Sequence, residues 1–170
     1  MACLVDELIN ILEEEENVYL ELKNFGELKK DILIRNDVPE LEKLTAREQV
    51  AADTLLALSN RQIQVLTDIA NVLGRSEDKM TVTKLIGLLD SEPATQSRLR
   101  VAKEKLCSQA EQVNSLNQQN AALLNQALEL TEFDITLFKS MRQAPETANY
   151  NKSAYNTGTL LGSSLFDAKQ

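Results

Sequence analysis

Residues 94–142 read ATQSRLRVAKEKLCSQAEQVNSLNQQNAALLNQALELTEFDITLFKSMR, and no proline or glycine interrupts them. Leu99, Leu106, Val113, Asn120, Ala127, Asp134 and Met141 share one heptad position; Ala102, Gln109, Leu116, Leu123, Leu130 and Leu137 share its partner. Apolar residues recurring at 3–4 spacing predict a single helix from about Glu92 to Arg142, roughly 75 Å long at the α-helical rise. Pro145 marks its end.

Two shorter long helices precede it. In the first, from about Ala2 to Arg35, Leu4, Leu8, Ile11, Val18, Leu22, Phe25 and Ile32 step by four and three. The same step lands on Glu15 and Lys29, and the run Glu13–Glu16 lies across the stripe, which reads as a solvated face or, alternatively, a docking patch for a basic partner. Asp37, with Pro39 in the first turn and Glu40 three residues on, has the form of a capping box. The helix it opens runs to Leu73 on the stripe Leu41, Leu44, Ala51, Leu55, Leu58, Val65, Ile69 and Val72, and Gly74 stands where a helix commonly ends. Thr81 caps a short helix, Val82 to Leu89, and Ser91 with Pro93 starts the long one.

The expected fold is therefore all-α: an elongated antiparallel helical bundle or coiled coil of three long helices plus one short helix. The bundle domain covers 1–143, and 144–170 form a flexible C-terminal tail. The first two helices, each roughly 50 Å long, are too short to cover the third. If the chain runs up, down and up again, the segment Leu128 to Met141 is left bare. Leu130, Phe133, Ile135, Leu137, Phe138 and Met141 lie there on more than one face. A bare apolar helix end is a binding surface or a liability. A staggered bundle, the tail or a second copy are the other ways to cover it.

Composition narrows the function. The 170 residues carry 26 acidic and 18 basic side chains, net −8. That disfavours nucleic acid, which needs a basic face, and anionic membrane surfaces; it suits a basic or amphipathic protein partner. There is no histidine, the commonest general base, and no phosphate-binding or dinucleotide motif, so catalysis is not expected. Cys3 and Cys107 form no ligand cluster, so no metal or cofactor is expected either. Met1-Ala2-Cys3 leads into acid rather than a basic signal region, and no apolar run is long enough to span a bilayer. These features point to the cytoplasm.

Asn120 admits two readings on the heptad stripe. A buried asparagine fixes register; an open one, with Asn117, hydrogen-bonds to a partner. The end of the chain, NYNKSAYNTGTLLGSSLFDAKQ, is polar yet carries Tyr150, Tyr155, Leu160, Leu161, Leu165 and Phe166. It is a frayed terminus, or it folds over or grips something with those side chains.

Four stretches together resemble the FlgN family of flagellar export chaperones. LEKLTAREQVAADTLLALSNRQIQVLTDIANVLG (41–74) is similar to the family's second helix, and TVTKLIGLLDSEP (81–93) to its short segment. Asn117-x-x-Asn120-x-x-Leu123-Leu124-x-x-Ala127-Leu128 is similar to a pattern on its long helix, and Tyr155 with Gly158 to its tail. The resemblance implies a cytoplasmic chaperone for hook-associated proteins of the FlgK and FlgL type. It would keep their C-terminal segment from polymerising and deliver it to the export gate. It also implies cargo contact in the C-terminal part of the long helix and beyond. Asn117, Asn120, Leu123, Leu124 and Ala127 are candidates, followed by Leu128, Leu130, Phe133, Leu137 and Phe138. Cargo-tail packing there would be helix on helix, with Tyr150, Tyr155, Leu160, Leu161 and Phe166 as tail contacts. The rival readings are an oligomeric coiled-coil scaffold, with the same heptads buried in a homodimer, and an exported helical subunit.

Overall fold

The structure is a computed structural model that describes residues 2–75, 79–90 and 92–142. All regular structure among them is helical: α1 (Ala2–Arg35), α2 (Val38–Val72), α3 (Val82–Leu88) and α4 (Pro93–Arg142). The chain falls into two compact units, Met1–Ala127 and Leu128–Gln170. Tyr150, Tyr155, Leu160, Leu161 and Phe166, and the expected boundary at 143/144, lie outside the described residues, as does Ser91.

The helix ends follow local chemistry. Asn36 takes the left-handed conformation (φ 54°) that stops α1. The Asn36 and Asp37 amides then return to the Leu33 and Ile32 carbonyls at 3.1 and 3.2 Å. Asp37 also caps α2, its side chain accepting from the Glu40 amide at 3.2 Å. One residue thus closes one helix and opens the next, which leaves a very tight connection. At the other end of α2, Gly74 (φ 68°) makes the same kind of stop, its amide and that of Arg75 bonding to Asn71 and Ala70. Thr81 caps α3 through the Lys84 amide at 3.2 Å.

Cross-helix pairs set the directions within the first unit. Glu7 meets Arg61 at 2.8 Å and Lys29 meets Glu48, so α1 and α2 are antiparallel. Asp6 meets Arg98, and Gly26 meets Asn120, both at 2.8 Å, so α4 runs parallel to α1. The exposed pairs mark this register more than they stabilise it.

Two cores hold the first unit. In the larger, Leu8 of α1, Ile69 of α2, Leu85 of α3 and Leu99 of α4 are all fully buried and pack in one cluster. Each such side chain contributes about 1.5–3 kcal/mol on leaving water. The smaller core, Phe25, Ile32, Leu44 and Ala51, draws on α1 and α2 alone. The Arg47 guanidinium closes over Phe25, 4.7 Å from the ring centre.

Two polar positions on the α1 stripe behave differently from a solvated face. Lys29 is half-buried and its charge is met by Glu48. Glu15 is buried, 4% exposed, while Glu13 and Glu14 are exposed. The four-and-three step through Ile11 and Val18 turns Glu15 inward with them, whatever its charge.

Candidate partner-binding surface

The candidate residues on α4 divide between the two units. In the first, a groove of about 600 Å³ opens between α2 and α4 with α1 at its base. Leu22, Lys29 and Leu33 form the base, and Leu41, Glu48 and Ala52 form the α2 wall. Asn117, Asn120, Ala121 and Leu124 stand on the α4 wall. Asn117 and Leu124 are exposed to it; Leu123 and Ala127 are half-buried.

Asn120 is the exception among them. It is 4% exposed, and its Nδ2 donates to the Gly26 carbonyl on α1 at 2.8 Å. Gly26 makes this approach possible: a Cβ there would lie 3.3 Å from Leu116 Cβ. Of the two readings of Asn120, the geometry is that of a residue fixing the register of α4 on α1, and its amide is spent inside the chain. Its Oδ1, also buried, has no hydrogen-bond partner among the described residues. Gly26 carried no signal in the sequence. The contact spans 94 residues and joins a helical glycine to an asparagine on another helix.

In the second unit every described residue from Leu128 to Arg142 is exposed. Leu128, Leu130, Phe133, Ile135, Leu137, Phe138 and Met141 are all large, apolar and in water, Phe133 and Phe138 with about two-thirds of their surface open. At about 100° per residue, Leu130, Phe133, Leu137 and Met141 share one sector about 80° wide. Leu128, Ile135 and Phe138 make a second stripe about 140° further round. One stripe of a surface helix is about 100° wide, so this helix end carries roughly twice the apolar arc that one neighbour needs.

Among the described residues no group of three or more acidic, cysteine or histidine side chains is placed to hold a metal ion. No helix there is long and apolar enough to cross a membrane. Among the described residues the chain is an all-helical, bundle-like protein with an exposed apolar helix end. The family model described as FlgN protein matches residues 1–158, and the chain belongs to the FlgN family, a family of flagellar chaperones. No curated protein and no solved structure matches it significantly.

Proposed function

We propose that this protein is a cytoplasmic export chaperone. It holds the C-terminal amphipathic segment of hook-associated proteins, the FlgK and FlgL type, and delivers them to the flagellar export gate. One observation carries the reading: the seven exposed apolar side chains between Leu128 and Met141. A cargo tail that is disordered when free folds its apolar face onto Leu130, Phe133 and Leu137 on one side and Leu128 and Phe138 on the other. The width of the apolar arc favours two helical segments of cargo over one. Ordering the tail consumes part of the binding free energy, which keeps the complex releasable.

The test is binding of a purified hook-associated protein to the Leu124→Asp and Phe133→Asp variants, followed by circular dichroism of each. Loss of binding with helicity retained supports the reading. Binding like that of the unaltered protein overturns it. So does sedimentation as a tight dimer that buries 123–141 and ignores the cargo.

A further inference from the structure

The groove beside Asn120 does not end there. A second hollow of about 540 Å³ continues it toward the other end of α1, and the two share Leu22 and Ala52. Together they make one slot with α1 as its floor. Its α2 wall runs from Leu41 to Ser59 and beyond, its α4 wall from Leu106 to Leu124. Each wall covers about 27 Å of helix, the length of an 18-residue helix at about 1.5 Å per residue. Ala52, Ser59, Ala110 and Ala121 keep the walls low. The slot has the length of an 18-residue helix, deep enough to seat one face of it, and it lies wholly within the first unit.

Its floor is not purely apolar. Glu15 lines it, nine-tenths buried and more, with no hydrogen bond or ion pair among the described residues. Burial alone pushes its pKa up, with no cation to offset it, and its charge in turn helps to raise that of Tyr19 beside it. Its carboxylate is partly withdrawn from water at the wall of the hollow, and a cation entering there forms a charge-assisted pair with it. Further along the slot stands Asn120 with its unpartnered Oδ1. Glu15 and Gly26, the residue Asn120 clasps, are about 16 Å apart along α1, three turns on nearly one face.

We propose that this slot docks an amphipathic helix of about 18 residues from a basic partner protein, with a lysine or arginine of its apolar face set against Glu15. The net charge of −8 favours such a partner on approach. The chain's own tail is the poorer candidate by composition, since Gly158 and Gly162 flank Leu160 and Leu161 and glycine disfavours a helix by about 1 kcal/mol relative to alanine. The inference does not rest on the chaperone reading, because the slot and the Leu128–Met141 surface belong to different units.

The probe is a pair of labelled 18-residue helical peptides, identical except for arginine or norleucine at the centre of the apolar face. Fluorescence anisotropy reads their binding to the full chain. The arginine peptide is expected to bind about tenfold more tightly. Glu15→Gln removes that advantage and leaves the norleucine peptide unchanged. Leu56→Glu, on the exposed rim of the slot, weakens both peptides without touching the core. Equal affinity of the two peptides, or an advantage that survives Glu15→Gln, overturns the proposal. A large gain in affinity on removing 143–170 also overturns it, by making the tail the occupant. Phe133→Asp should change neither peptide; if it does, the peptides sit on the α4 end and the slot is refuted while the chaperone reading stands.

Discussion

Replacing Glu15 with glutamine is expected to stabilise the protein at neutral pH and to do almost nothing in acid. Glu15 is 4% exposed, has no partner among the described residues, and burial raises its pKa above the ordinary 4.5. Well below pH 4.5 the carboxyl is protonated in both folded and unfolded chains and costs nothing extra. As pH rises, the unfolded chain ionises first. Folding therefore loses stability over a window that opens near pH 4.5 and closes at the higher folded pKa. At pH 4.5 the loss is about 0.4 kcal/mol, because half of the unfolded chains are ionised there. At pH 7 the full loss set by the raised pKa is present, reduced by the water that reaches the carboxylate from the hollow. Glutamine keeps the shape and removes the charge, so a gain of up to about 1 kcal/mol at pH 7 is expected, the amide remaining a polar group in the same place. That corresponds to a rise in melting temperature of at most about 2–4 °C for a chain of this size. The assay is urea denaturation of both proteins at pH 4.5 and pH 7.5; carboxylates common to the two cancel in the difference. A gain of equal size at both pH values, or a loss at pH 7.5, would show that Glu15 is solvated and refute the reasoning.

Other substitutions probe the helix contacts and ends. Asn120→Ala should cost about 1–2 kcal/mol, since it removes a buried hydrogen bond while the Gly26 carbonyl keeps its bond within α1; an unchanged urea midpoint would mean that Asn120 does not hold α4 on α1. Gly26→Ala is expected to be near neutral, about 1 kcal/mol of helix propensity offsetting the crowding of Leu116, whereas Gly26→Val should cost about 1–3 kcal/mol by forcing α1 from α4. Gly74→Ala, at φ 68° with open space around it, should cost about 1–2 kcal/mol from backbone strain alone, read by thermal melting. Phe133→Asp should leave stability within about 0.5 kcal/mol while it removes cargo binding.

The helices were legible because their signals are local. Asp37, Gly74 and Thr81 act on amides within a few residues, and the observed ends fall within a residue or two of the expected ones. The exposure of Leu130, Phe133 and Phe138 was legible too, from helix lengths and from apolar residues on several faces. Glu15 was not read correctly. Four glutamates in a row look like a wetted face, although the four-and-three step that buries Ile11 had already landed on Glu15 and not on Glu13 or Glu14. The bond from Asn120 to Gly26 was invisible for a different reason: it depends on where two helices cross, which neither stretch encodes by itself. The slot was likewise hidden, because it is made by small side chains and by space rather than by any motif.

The smaller core has a consequence for the order in which the protein is made. Phe25, Ile32, Leu44 and Ala51, with Val18, Leu22 and Leu41 around them, all belong to the first 51 residues. Contacts so close in sequence form quickly, and chains begin to fold from the N-terminal side as they are synthesised. That part of the α1–α2 hairpin is complete before Val113 and Asn120 have been translated. Helix α4 therefore arrives late, at a surface already built, and Asn120 finds the Gly26 carbonyl waiting rather than helping to create it.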